Sequence, residues 1–172
     1  MRLIKKKKIV NEEYKVDFFS IFLSSACYTG YIPVASGTFG SLFGLMFLLI
    51  PGFYNPVILL TLSLIFFFVG IAASERMIYR YGDDPSVVVL DEVVGMWVSI
   101  LVISFFGFEL TWISAGLLFI SFRFFDIVKI FPAGYFDKLK SGFGIMMDDV
   151  IAGLYGGFLT FLILKLSGAL IK

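Results

Sequence analysis

The 172-residue chain is 59% hydrophobic and 16% charged, and its mean hydropathy of +0.97 is too high for an ordinary soluble domain of that size. A formal net charge of +1 supplies no field for nucleic acid; the single cysteine, Cys27, excludes a disulfide framework and a multi-thiolate zinc site, and the absence of histidine removes the commonest general base. The composition predicts a small all-α, multi-pass membrane protein whose chemistry runs on carboxylates, Lys, Arg, Ser, Thr and Tyr.

Residues 1–16, with Arg2, Lys5 to Lys8 and Lys15, read as a basic cytoplasmic tail, either solvated or held against anionic lipid headgroups. Residues 17–172 read as one helical domain, because no repeat or low-complexity tract divides them. From Asp17 to Ile32, Phe, Ile and Leu mix with Ser and Thr over a stretch too short to span, which predicts a helix lying at the interface. The polar stretch Ser36-Gly37-Thr38-Phe39-Gly40-Ser41 precedes an apolar helix that runs to Ile50 and stops at Pro51-Gly52. It would expose backbone N–H groups at a helix N-terminus, which suits an anion such as phosphate, although an ordinary Ser/Thr cap uses the same residues.

Pro56 opens a second apolar run, Val57 to Ala73, long enough to span, which passes into Glu75-Arg76 and the loop 82–86. The third run, Val87 to Phe106, carries Asp91 and Glu92 in its first turns. The fourth, Leu110 to Phe131, carries Arg123, Asp126 and Lys129 in its last turns and is ended by Pro132. The fifth, 141–163, sets Asp148 and Asp149 near its start. At helical spacing Asp149, Gly153, Gly156 and Gly157 share a face on which another backbone or a ligand can come close. The expected architecture is a compact helical bundle with about four to five hydrophobic helices plus the N-terminal interfacial helix.

Lys and Arg are absent from the connections 51–56 and 107–109, whereas the tail, the 75–86 connection and the 129–142 connection carry most of them. The positive-inside rule puts those three in the cytoplasm. If each segment after residue 38 crosses once, Thr38 and Ser41, Asp91 and Glu92, Arg123 through Lys129, and Asp148 with Asp149 all fall at the same membrane face. Charges in apolar segments are expensive, so four polar clusters in one layer predict a single site. The mixture suits phosphate: carboxylates hold a hard cation such as Mg²⁺, and Arg and Lys meet the phosphate oxygens it leaves free. Arg123, Asp126 and Lys129 are spaced three apart and would occupy one helix face; an internal salt-bridge ladder is the alternative, weakened by the further anions Asp148 and Asp149.

These clusters resemble the phosphatidylglycerophosphatase A family, whose members carry a Pro-Gly-Thr-x-Gly-Ser loop and three further motifs. Here the four read Ser36-Gly37-Thr38-Phe39-Gly40-Ser41, Asp91-Glu92-Val93-Val94-Gly95-Met96, Arg123 through Lys129 to Pro132, and Gly144-Ile145-Met146-Met147-Asp148-Asp149-Val150-Ile151-Ala152-Gly153. The resemblance covers residues of about 30 to 157, and four motifs in order are specific where each alone is modest. Ser36 stands where the family usually has proline, Ile130 replaces the first proline after the lysine, and Ser141 replaces a glycine. All three shape backbone, and no charged residue is lost.

The resemblance implies a Mg²⁺-dependent hydrolase in a bacterial-type inner (cytoplasmic) membrane. It would remove the terminal phosphate of phosphatidylglycerophosphate on the cytoplasmic side to give phosphatidylglycerol. Asp91, Glu92, Asp126, Asp148 and Asp149 would share the metal, with Asp126, Asp148, Asp149, Arg123 and Lys129 as the catalytic set. Gly37, Thr38, Gly40 and Ser41 would join Arg123 and Lys129 in binding phosphate. Water and an aspartate both stay open as the attacking group, and a homo-oligomer stays open. Cys27 is followed six places on by Pro33 and not by arginine, and neither an Asp-x-Asp nor an Asp-Gly pair occurs. Cysteine phosphatases, haloacid-dehalogenase-type phosphatases and CDP-alcohol phosphotransferases are therefore excluded. The alternative is a small membrane ion or proton-coupled transporter, which would place its carboxylates near the bilayer midplane within related repeats.

Overall fold

A computed structural model describes residues 9–83 and 85–168. Arg2 and Lys5 to Lys8 of the expected tail, and Asp84, lie outside them. Among the described residues the chain is helical and has no strand. Its α-helices are α1 (Phe18–Ser24), α2 (Ser36–Met46), α3 (Pro56–Tyr81), α4 (Leu90–Phe105), α5 (Trp112–Val128), α6 (Ala133–Phe136) and α7 (Gly142–Leu166).

The core is built around α4, whose Val94, Met96, Ile100 and Ile103 are wholly buried. A helix apolar on every side needs neighbours on every side, and α2, α3, α5 and α7 supply them. The Trp97 ring lies edge-on to Phe47, Phe53 and Phe66 at centroid distances of 5.0, 5.4 and 5.4 Å, and its Nε1 donates to the Gly44 carbonyl at 3.0 Å. On the other side α4 and α7 meet backbone to backbone. A Cβ on Gly95 would lie 2.6 Å from the Asp149 carbonyl oxygen, and one on Gly153 would collide with the Gly95 carbonyl. Ser99 Oγ donates to the Gly153 carbonyl at 2.8 Å across the same crossing. Gly156 faces α5 in the same manner, where a Cβ would come within 2.8 Å of Phe122 Cα. The glycine face expected on α7 is therefore a double helix-packing surface, and it fixes the position of Asp148 and Asp149 against α4 and α5.

Helix boundaries follow local chemistry in most places. Asn55 caps α3 by accepting from the amides of Val57 and Ile58, with Pro56 in the first helical turn, and Gly82 at φ 90° ends it. Thr111 and Ser114 form a reciprocal capping box on α5. Ser141 accepts from the Gly144 amide, and Glu75 of α3 accepts from the Gly142 amide at 2.6 Å, so α7 starts against α3.

Three boundaries differ from expectation. The Val87–Val89 segment is not helical, because the Val89 amide donates to the Ser24 carbonyl at 2.8 Å and Val88 closes a turn on Pro85; α4 therefore starts at Leu90. α5 ends at Val128, before Pro132, because Lys129 adopts φ 51°. The expected interfacial helix is only seven residues long, since Ala26, Cys27 and Tyr28 in succession take positive φ.

α3 and α7, with 26 and 25 residues, are the described helices long and apolar enough to cross a membrane. α4 and α5 have 16 and 17 residues, or roughly 24 and 26 Å, less than the roughly 30 Å of bilayer hydrocarbon. Val57, Leu60, Leu64 and Phe68 nevertheless form an exposed stripe along α3, and Trp112, Ile113, Ile120 and Phe124 another on α5. Patches of that extent mark contact with a non-aqueous phase or a partner.

Residues 10–14 lie against the end of α3. The amides of Val10 and Asn11 donate to the Arg80 carbonyl, and Arg80 Nη1 donates to the Tyr14 carbonyl at 2.8 Å. Asp17 caps α1 by accepting from the Ser20 amide and hydroxyl, and it pairs with Arg76 at 3.0 Å. The Ser20 hydrogen bonds, helped by Arg76, hold its carboxyl below the ordinary value of 3.8. A lowered folded value means that the contribution is complete above the ordinary value and fades as acid titrates through the folded one. Asp17→Ala is thus expected to lower the melting temperature at neutral pH, with the gap to the parent closing in acid; thermal melts across that pH range check it.

Candidate active site

The α2 start, the α4 start, the α5 end and the α7 start converge on one cavity of about 620 Å³. α4 presents Asp91 and Glu92 from its first turn. α7 brings Asp148 and Asp149, 5% and 3% exposed, to meet them. Oxygen atoms of Asp91, Glu92 and Asp149 lie within 4.8 Å of one another. Asp91 Oδ1, Glu92 Oε2 and Asp149 Oδ2 are buried and have no hydrogen-bond partner. Two unit charges at that separation repel by about 3.5 kcal/mol at an effective dielectric constant near 20. Three buried, unpaired carboxylate oxygens so arranged fit a hard divalent cation, and they suit no soft metal because no sulfur or imidazole accompanies them.

Asp126 and Asp148 are each in close contact with a cation. Arg123 Nη1 pairs with Asp126 Oδ2 at 2.6 Å, stands 4.0 Å from Glu92 Oε1, and donates to Ser41 Oγ at 3.4 Å. Lys129 Nζ pairs with Asp148 Oδ2 at 2.6 Å and with Asp137. Arg123 and Asp126 share a helix face as their spacing predicts. Lys129 does not join them: its left-handed backbone takes it off the helix, and its partners sit on α7 and after α6 instead of at Asp126. Burial alone would favour the neutral amine, but the Asp148 charge and the hydrogen bonds to Asp137 and Asp148 outweigh it and hold Lys129 above the usual lysine range. The group stays cationic at any working pH.

The stretch expected as a loop before α2 is its first turns. Ala35, at φ 50°, occupies the cap position without a side-chain acceptor, and Ala35 to Thr38 line the cavity. The Thr38 amide donates to the Ala35 carbonyl at 2.9 Å, so the earlier first-turn N–H groups, those of Ser36 and Gly37, give this end of α2 its donors and positive dipole toward the cavity. Gly37 leaves room for the two charged side chains, because a Cβ there would collide with Glu92 Oε1 and lie 3.1 Å from Arg123 Nη1, so both ends would have to swing aside. Gly40 and Ser41 sit behind this surface. A Cβ on Gly40 would be 2.8 Å from Val89 Cβ, and Ser41 is fully buried, donating to the Gly37 carbonyl at 2.8 Å.

Three further residues, unmarked in the sequence, contribute. Asp137 and Asp83 line the cavity, the first holding Lys129 and the second paired with Lys140 at 2.5 Å, and Ser36 Oγ donates to the Ser86 carbonyl at 2.9 Å. Asp137 follows a helix of four residues that has no periodicity to reveal it.

A helical protein with an apolar exterior, a carboxylate cluster and two fixed cations around one cavity has the parts of a lipid-phosphate hydrolase. Comparison with known proteins agrees: residues 22–164 match the family described as Phosphatidylglycerophosphatase A. The chain is 37% identical over 138 residues to a Haemophilus influenzae protein named phosphatidylglycerophosphatase A, covering 78% of this chain and 82% of that one. It is 28% identical over 141 residues to the Escherichia coli protein of the same name, covering 78% and 77%. A Bacteroides thetaiotaomicron protein with the provisional name phosphatidylinositol-3-phosphatase is 34% identical over 143 residues, covering 80% and 89%. No solved structure matches. The chain belongs to the phosphatidylglycerophosphatase A family, and it is a phosphatase.

Proposed function

We propose that the chain is a Mg²⁺-dependent phosphatase of the cytoplasmic membrane that hydrolyses the terminal phosphomonoester of phosphatidylglycerophosphate. The observation that carries this reading is one cavity lined by Asp91, Glu92, Arg123, Lys129 and the N-terminus of α2, with Asp149 completing a three-carboxylate cluster in which one buried oxygen of each residue has no hydrogen-bond partner. Asp91, Glu92 and Asp149 would hold the cation. When bound, it supplies positive charge that offsets the phosphoryl oxygens in the transition state. Arg123 and Lys129 neutralise the remaining oxygens, while Asp126 and Asp148 fix those two cations in place. The first-turn amide at Gly37 and the Thr38 side chain, which line the cavity, donate to the phosphate. Hydrolysis breaks the bond from phosphorus to the glycerol oxygen, places water's oxygen on phosphorus and returns a proton to the alcohol. With no histidine, the proton falls to a carboxylate.

The site lies at the end of the bundle that carries Arg76, Arg80, Lys138 and Lys140, so the positive-inside rule turns it to the cytoplasm, with α3 and α7 crossing the bilayer. Residues 10–14 lie against the same end, at the close of α3, and residues 17–172 work as one domain. The family name supports the phosphatidylglycerophosphate headgroup, and the differing name of the Bacteroides relative makes headgroup choice the point to test. Phosphate release should be measured in detergent micelles from phosphatidylglycerophosphate and from phosphatidylinositol 3-phosphate, with Mg²⁺ and then with EDTA. Release from the first, at least about tenfold faster than from the second and lost in EDTA, is expected. EDTA-resistant release would remove the metal from the reading; release from neither lipid would remove the substrate class.

A further inference from the structure

A second cavity, about 540 Å³ and almost wholly apolar, lies between α2 and α5. Leu42, Leu45 and Leu49 line it from α2 and the turn after it, and Trp112, Gly116 and Phe119 line it from α5. The volume is that of a small-molecule site.

The groove is set on the same two helix faces that end in the polar cavity. Along α2, Thr38, Leu42, Leu45 and Leu49 recur at spacings of four, three and four; along α5, Trp112, Gly116, Phe119, Arg123 and Asp126 recur at four, three, four and three. Such spacings keep residues on one side of a helix. Each stripe therefore begins among the phosphate-binding groups, Thr38 on one helix and Arg123 with Asp126 on the other, and turns apolar within about two turns. Seven residues separate Thr38 from Leu45, roughly 10 Å of helix, which stays inside one leaflet's share of a hydrocarbon layer roughly 30 Å thick. A molecule with a phosphate in the cavity and an apolar tail directed along these stripes matches both ends at once. Small residues widen the apolar end: a Cβ on Gly116 would meet no atom within 4 Å.

We infer that this groove seats one fatty acyl chain of the phospholipid whose phosphomonoester occupies the polar cavity. The assignment rests on the lipid-phosphatase reading above and extends it from headgroup to tail. A site of this kind selects a membrane-held substrate over water-soluble phosphomonoesters.

The test uses the full chain in detergent micelles and a phosphatidylglycerophosphate carrying a photoreactive diazirine midway along one acyl chain. Irradiation is expected to label peptides containing residues 42–49 and 112–119, with labelling suppressed by unmodified phosphatidylglycerophosphate and not by phosphatidylcholine. Equal labelling of the exposed α3 stripe, insensitive to either competitor, would overturn the proposal and leave a groove that touches bulk lipid. Crosslinks between two copies through the groove would overturn it in favour of a dimer contact. If the unirradiated probe releases no phosphate, the lipid-phosphatase reading fails and this proposal with it; release without groove labelling overturns this proposal alone. Gly116→Leu gives a second readout, since the added side chain enters open space. The ratio of kcat/KM for long-chain over dihexanoyl substrate should fall at least about tenfold. An unchanged ratio in a variant of normal melting temperature would count against the groove.

Discussion

Asp149→Asn is expected to abolish phosphate release, by on the order of a thousandfold, while making the metal-free protein more resistant to heat. The two effects have opposite signs because Asp149 brings a third carboxyl into a buried cluster of like groups. Its Oδ2 is buried and unbonded, and carboxylate oxygens of Asp91 and Glu92 lie within 4.8 Å. Neutralising it relieves its repulsion by both neighbours, and the amide retains a dipole to solvate the site. Even a net gain of about 1 kcal/mol would raise the melting temperature by about 2–4 °C in a chain of this size.

Mg²⁺ reverses the order. A cation at a hundred times its dissociation constant stabilises the parent by about 2.7 kcal/mol, and the variant, with one anionic ligand fewer, gains less. Melting curves of both proteins in EDTA and in Mg²⁺, with phosphate release measured alongside, check all of this. A variant that melts lower in EDTA would make Asp149 a structural residue; retained turnover would remove it from the site.

What the sequence revealed and what it hid divide along the cost of placing a group. Asp148 and Asp149 were legible because two adjacent carboxylates inside an apolar run need compensation wherever the chain folds, and the clusters at residues 91–92 and 123–129 were legible for the same reason. The glycines at 153, 156 and 157 were legible as a packing face because helical spacing alone puts them together. Lys129 was read onto the α5 face because nothing in its identity signals a positive φ, a conformation that favours glycine or asparagine. The α4 start was misplaced by three residues because the Val89 amide is claimed by Ser24, more than sixty positions away in the chain. Gly40 and Ser41 share a motif with Gly37 and Thr38, but a helix has an inside, and the local text does not say that its first turn is already wound.

Lys129→Met is expected to destabilise the metal-free protein by about 3 kcal/mol, and to slow turnover by a hundredfold or more. Asp148, 5% exposed, would be left as a buried anion whose ion-pair partner has gone, and that loss dominates the stability change. Asp137 also loses its partner, but its side chain is 46% exposed and water replaces the lysine there at little cost. Adding Asp148→Asn to Lys129→Met removes the stranded charge as well, so the double variant should recover most of the lost stability.

Activity should not return with it. Lys129 is assigned to phosphate oxygens, and the double variant has no cation at that position to meet them. Recovery of both stability and turnover would mean that the lysine serves only to balance the Asp148 charge, and would pass the phosphate-binding role to Arg123 and the α2 amides alone. A double variant no more stable than the single one would mean that Asp148 draws its compensation from elsewhere in the cavity. The two readouts therefore separate a lysine that binds phosphate from one that only balances charge.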